Sequence, residues 1–575
     1  MRGHPFRSAG CWPKRAVAKS SRQAPFGIAG LHVPSREASR RLQGWLFPET
    51  AVAAPRTGRN KALVAAGYVA ASVALAALAL LRQSGLPAWK TIWAEDGKFF
   101  YSQALSLPFA RTLVTLHAGY VQLYPRLVAA LATAFAPRDA SWVMALVGAA
   151  SLAAISCLVF HMARGHVASP LLRGLLAASM VFLPVAGAEL LDNAVNVPWW
   201  LFFACFWAFL WRPATRAGST GALLLCALAG ASEPLTALLL PLAALRAACL
   251  WEETRHRPRE QAPVVGLLAG LAFQGVVIIA NTANRGVSAA FRPGSGAGLA
   301  QSLAFRVGLG LLAGVKGTDW LVVHQKALAT ALGVLVLIAV ATAGAACPAR
   351  RARSFTAIAV FFALVCFLVP AWLRNVAPLM AAGKVQPASR YQAVPLLLLV
   401  SALVVTADGW AGGAVGSPAG ARAGAPAGDV GAPAEPRGGD VGAAPGEPRG
   451  GDVGAPAEPG NALTSGGSGG RPSDRLAARA AAGLHAAPRR RPRRPASPVS
   501  PGLRTFTAAV ACLLLLAPTW VVDYRDSNSR SRGPSWPLEI ARASRRCASG
   551  SIKIATVPTD PTGWEARLPC RRLLN

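Results

Sequence analysis

From residue 62 onward, long unalternated apolar runs separated by short polar loops dominate the chain. Ala62 to Leu81 runs without interruption for about 20 residues, enough at 1.5 Å per residue to cross a hydrocarbon core of roughly 30 Å. Runs at 141–160, 174–190, 197–211, 263–280, 325–346, 355–371, 392–407 and 504–522 read the same way. The stretch 221–250 is longer than one helix needs and is broken at Ser232, Glu233 and Pro234. It predicts two short helices, 221–231 and 235–250, meeting at a turn. Two further segments read as juxtamembrane. One is 119–136, where Tyr120, Gln122, Tyr124, Pro125 and Arg126 favour the headgroup level, and the other is 299–315, interrupted by Arg306. The sum is an all-α polytopic membrane protein of about 11 transmembrane helices, within a range of 10–13.

Composition agrees. Of 575 residues 53% are hydrophobic and 15% charged, with a mean hydropathy of +0.39, too apolar for a soluble surface. The net charge of +34 would suggest nucleic acid in a soluble protein. Here the basic residues sit in tails and short loops, and no solvated domain carries a patch, so nucleic-acid binding is excluded. Their distribution instead reads as topology. Arg164 and Arg173, Arg212 and Arg216, Arg246 with Arg255, Arg257 and Arg259, and Arg350, Arg351 and Arg353 mark cytoplasmic loops. Glu189, Asp192, Glu233 and Asp319 fall in the loops between and face outward. The expectation is a multi-pass protein of the cell membrane, N-terminus cytoplasmic and C-terminus extracytoplasmic.

Five regions follow. Residues 1–61 form a basic, disordered cytoplasmic tail, and 62–407 form the membrane core, with a first outer loop at 82–140. A disordered cytoplasmic Gly/Ala/Pro linker at 411–503 contains near-repeats starting at Gly428, Gly439 and Gly451 and ends in the cluster Arg489–Arg494. Residues 504–522 make the last pass. Residues 523–575 form a small extracytoplasmic cap holding Trp536, Ile540, Cys547, Trp564 and Cys570. Two cysteines in an exported segment of this size are expected to pair, so Cys547–Cys570 is the expected disulfide.

The chain has no P-loop, dinucleotide-binding glycine pattern, HExxH or CxxC pair. The informative stretch is Lys90 to Tyr101, where Glu95 and Asp96 stand between Trp93 and the aromatic run Phe99, Phe100 and Tyr101. Partial desolvation and a like-charged neighbour push one carboxyl pKa upward, toward the range of a general base. An ordinary loop with a Gly turn and an aromatic belt would look the same, and the residues alone leave both open.

An acidic pair just after the first span, in a long outer loop that ends in an amphipathic segment from Tyr120 to Pro125, resembles the multi-pass glycosyltransferases of the C superfamily. Asn193, Asn196 and Trp199, the break Ser232-Glu233-Pro234, and the pair Arg390-Tyr391 strengthen the resemblance. The Trp536, Cys547, Trp564, Cys570 pattern resembles that of high-GC actinobacterial membrane proteins with the same Trp-Ala-Glu-Asp-Gly stretch.

The resemblance implies a GT-C-like fold. It also implies a polyprenyl-phosphate sugar lipid as donor and a cell-envelope glycan or glycoprotein as acceptor. It makes a first-loop carboxylate the base: Asp96 is preferred, because Gly97 lets the acceptor approach, with Glu95 orienting the acceptor or binding a divalent cation. No other cofactor is implied. Arg390, Arg374 and Lys384 in the outer loop 372–391, together with Arg126, are the candidate donor-phosphate cations. Glu189, Asp192, Glu233 and Tyr391 are the acceptor-side candidates. The rival readings are a transporter or lipid flippase, against which stand near-absent intramembrane charge and the lack of an inverted repeat, and a non-catalytic membrane scaffold.

Overall fold

The computed structural model describes residues 36–49, 58–251, 255, 257–281, 296–373, 388–412, 500–525 and 529–574. Arg374, Lys384, the N-terminal 35 residues and nearly all of the 411–503 tract lie outside the described residues.

The chain is an α-helical multi-pass membrane protein. Among the described residues eight helices are long and apolar enough to cross a bilayer: Arg59–Arg82, Pro137–Gly165, Pro258–Ala280, Gly296–His324, Lys326–Ala346, Arg350–Leu373, Arg390–Gly412 and Gly502–Tyr524. The other expected passes are shorter helices, including Pro170–Phe182, Val197–Leu210 and Pro234–Cys249. Val197–Leu210 (VPWWLFFACFWAFL) is apolar all round, and every one of its residues is buried, so it forms the axis of the bundle. The first span has the opposite environment: Leu63, Val69 and Val73 are more than 60% exposed, as a lipid-facing helix requires.

Three local readings meet the structure directly. Leu123–Ala132 is a helix of only ten residues, about 15 Å, and therefore cannot cross the membrane. The expected break after residue 231 is present: one helix ends at Ser232, Pro234–Leu239 forms a 3₁₀ turn, and Leu240–Cys249 continues. The stretch 299–315, read as juxtamembrane, belongs to the helical run Gly296–His324. That run is long enough to cross and kinks at Gly314, whose φ is +64°.

The tail also differs from expectation. Arg36–Leu46 is a helix, and Leu46 and Phe47 are buried in the core. Arg246 lies over the Phe47 ring at 5.7 Å, and Arg350 over Trp45 at 5.8 Å. Apolar side chains inside a basic sequence, with no long run, gave no signal of this docking.

The last span returns beside the first through Arg82. Its buried guanidinium donates to the carbonyls of Val181, Pro184, Asp523 and Tyr524. Beyond it the cap comprises a helix, Trp536–Ala548, and an antiparallel hairpin of β1 (Ile554–Thr559) and β2 (Trp564–Pro569). Cys547 and Cys570 are disulfide-bonded. The cap therefore carries a small sheet on an otherwise helical protein.

Small residues set one close helix contact. Gly266 and Gly270 of Ala262–Ala280 lie directly against Arg216–Ser232, so that a Cβ at Gly270 would run into the Ala227 carbonyl oxygen. Gly275 has open space around it. Gly270→Leu is expected to destabilise the purified protein by about 1–3 kcal/mol or prevent its accumulation. Gly275→Leu should melt like the parent, both read by thermal unfolding in detergent.

Candidate functional site

Residues 91–93 enter the site as an extended segment held from behind by the cap. The Asp560 amide donates to the Ile92 carbonyl at 3.0 Å, and Trp93 pairs with Asp560 as a parallel bridge. From Asp96 to Tyr101 the backbone winds as a π-helix, a wider turn common at functional sites. Neighbouring residues on such a turn point in different directions, and the two carboxylates separate accordingly.

Glu95 points forward. It lines a cavity of about 100 Å³ together with Tyr120, Gln122, Trp199, Glu233, Arg390 and Tyr391. Arg390 Nη1 stands 3.5 Å from Glu95 Oε1. On its other side Arg390 meets Glu189, with Nε 3.9 Å from Oε1. The same carboxylate accepts the Arg390 backbone N–H at 2.9 Å and the Ser389 hydroxyl at 3.3 Å. Glu189 is thus the acid that fixes Arg390, not a lining residue.

The remaining walls come from chain breaks. His117 and Tyr120 close a turn through Ala118 and Gly119, both at positive φ. Gln274 holds the strand after it, accepting from Val121 N at 2.9 Å and donating to Val121 O and Ala231 O. Glu233 lines the cavity and also accepts from Leu235 N at 3.1 Å, capping the short turn that Pro234 starts. Trp199 and Tyr391 meet edge to face with centroids 5.2 Å apart. Among the described residues, Glu95 Oε2 and Gln122 Oε1 are buried here without hydrogen-bond partners, the condition expected of a site that awaits a polar ligand.

Asp96, preferred as the base in the sequence, points backward and is not among the residues lining the cavity. It is 1% exposed, and its Oδ2 accepts from Ala194 N at 2.9 Å. Gly97 likewise makes room for something other than an acceptor, since a Cβ there would stand 2.6 Å from Thr559 Cγ2 of the cap. Behind Asp96 lies Arg530, 2% exposed, which donates to Leu191 O, Asp192 O and Thr91 Oγ1. Asp96, Asp192 and Asp560 surround this guanidinium. Burial pushes the Asp96 carboxyl up to about 7 against the Ala194 N–H, with Glu95 adding to the rise. Burial also raises Asp192 to about 6 and Asp560 to about 7, in both cases opposed by Arg530.

Two further candidates move. Asp192 belongs to this rear cluster instead of the acceptor side. Arg126 is wholly buried away from the cavity, donating to Gln103 Oε1 at 2.8 Å and Thr112 O at 2.9 Å and lying over the Phe100 ring. It braces the first outer loop. Among the described residues no group of three or more His, Cys, Asp or Glu is placed to hold a metal ion.

Gln274 and Arg530 are the functional residues the sequence did not reveal. Gln274 is a lone amide in an apolar helix, and Arg530 lies in the run Ser529-Arg-Ser-Arg532, which has no periodicity. The chain matches no protein-family model, no curated protein and no solved structure.

The rear carboxyls make stability depend on pH. In the unfolded chain they ionise near the ordinary value of 3.8, whereas the fold keeps them protonated up to about 7, 6 and 7. The unfolded state therefore binds fewer protons across this window, and stability falls as pH rises through it, levelling off above the folded values. Asp560→Asn is expected to flatten that fall, gaining melting temperature over the parent at about pH 8 more than at about pH 5.

Proposed function

We propose that this protein is a membrane glycosyltransferase of the GT-C kind. It moves a sugar from a polyprenyl-phosphate donor to a cell-envelope acceptor on the extracytoplasmic side, with about 11 passes and the N-terminus cytoplasmic. The observation that carries the reading is the Glu95–Arg390 pair, 3.5 Å apart in the wall of a polar, aromatic-lined cavity. A carboxylate and a guanidinium facing one space are what a proton-abstracting, phosphate-releasing reaction needs.

In this mechanism Glu95 takes the proton from an acceptor hydroxyl. The oxygen attacks the anomeric carbon, and the bond from that carbon to the donor's phosphate oxygen breaks, its electron pair leaving on the phosphate. Arg390 stabilises that charge. When it turns to the phosphate, Glu95 is released from its ion pair and its carboxylate is free to face the acceptor hydroxyl. Trp199 and Tyr391 offer the sugar apolar faces, while Gln122 and Glu233 offer it acceptors. Were a divalent cation bound, Glu95 would be the residue to hold it, and it would supply further charge stabilisation.

The transporter reading draws on Arg306, fully buried in a π-helical stretch within the run Gly296–His324. Proteoliposomes that move a lipid-linked sugar without consuming it would favour that reading.

Glu95→Gln is expected to lower consumption of the sugar lipid in membranes by about 10²–10⁴-fold, the usual contribution of a general base. Arg390→Gln should lower it comparably, and Asp96→Asn much less. Decaprenyl-phosphate arabinose and polyprenyl-phosphate mannose are the first donors to screen. Turnover unchanged in Glu95→Gln would remove the catalytic reading.

A further inference from the structure

The cap helix Trp536–Ala548 has two unlike faces. Trp536, Ile540, Ala543 and Cys547, spaced four, three and four residues apart, are buried. The opposite face carries Arg542, Arg545 and Arg546 and forms, with the hairpin, an open groove of about 730 Å³. Glu539, Thr556 and Glu565 complete the lining that matters here.

Charge in this groove is only partly answered. Glu539 pairs with Arg542, and Arg546 Nη2 donates to the Thr556 carbonyl at 2.8 Å. Among the described residues no acid lies within ion-pair distance of Arg545 or Arg546. Like charges one turn apart on a helix repel. The excess extends beyond the groove, since residues 529–574 hold nine Lys and Arg against three Asp and Glu. The Cys547–Cys570 bond ties the helix to the end of the hairpin, whose strands pair along their length, so the walls of the groove are covalently and hydrogen-bond linked.

Shape and composition select the ligand class. A bilayer presents a flat, dense array of like charge, which would meet the carboxylates of Glu539 and Glu565 unfavourably. A chain of sugars with spaced negative groups fits a concave surface that mixes guanidiniums with hydroxyl acceptors. The groove also lies on the same side of the bundle as the cavity, because the cap packs on residues 91–102.

We propose that the cap groove binds an anionic glycan through its carboxylate or phosphate groups. Arg545 and Arg546 contact those groups, while Glu539, Thr556 and Glu565 accept hydrogen bonds from sugar hydroxyls. Its identity as the acceptor rests on the glycosyltransferase reading; its binding does not.

The test uses the full-length protein in nanodiscs of zwitterionic lipid, with fluorescent polygalacturonate as probe. Polygalacturonate is expected to bind in a salt-sensitive manner and neutral dextran not to bind. The double variant Arg545→Ala/Arg546→Ala should bind about tenfold more weakly while melting like the parent. Unchanged affinity in that variant, or equal binding of dextran, overturns the proposal. Preferential binding of phosphatidylglycerol vesicles or of poly-glutamate overturns it in favour of a lipid surface or an acidic peptide. The assay needs neither donor nor turnover, so its failure leaves the Glu95→Gln result standing, and the reverse holds as well.

Discussion

Arg390 is held between two carboxylates that reach it from distant parts of the chain, Glu95 at 3.5 Å and Glu189 at 3.9 Å. The three side chains are mostly withdrawn from solvent, and removing Arg390 would leave two uncompensated carboxylates in a poorly hydrated place. Glu189 also accepts the Arg390 backbone N–H, so the start of the span Arg390–Gly412 is fixed along with its side chain. The loop after the first span, the turn before Val197–Leu210 and the start of this span are thereby tied at one point. The cavity is the space left where their ends meet.

The division between Glu95 and Asp96 follows from the same place. Two adjacent residues on a helical turn cannot share a direction, and each direction here has its own arginine. Forward, Arg390 keeps Glu95 in an ion pair beside open space. Backward, Arg530 sits among Asp96, Asp192 and Asp560, one cation among three acids whose burial favours their protonated forms. The front of the loop is arranged for a ligand and the rear for holding the cap.

Much of this was readable in the residues and some was not. The acidic pair, the Arg390-Tyr391 pair, the break at Ser232-Glu233-Pro234 and the bonded cysteines all carry local signals: charge beside an apolar run, a proline after a cap, two thiols in one segment. The helix at Arg36–Leu46 carried none, because its few apolar residues are diluted in a basic tail. Which carboxylate faces the cavity was unreadable too, since a π-turn and an α-turn aim the same two residues differently and the sequence does not announce the winding. Gly97 misled for a related reason. Its lack of a side chain signals close approach by something, and the partner is Thr559, more than 450 residues later in the chain.

That separation bears on how the molecule is made. The segment carrying Glu95 leaves the ribosome more than 400 residues ahead of Arg530 and Asp560, which brace it. The first loop therefore waits for that later stretch before it acquires its lasting shape, and a frameshift or premature stop in between would damage a part of the polypeptide already made.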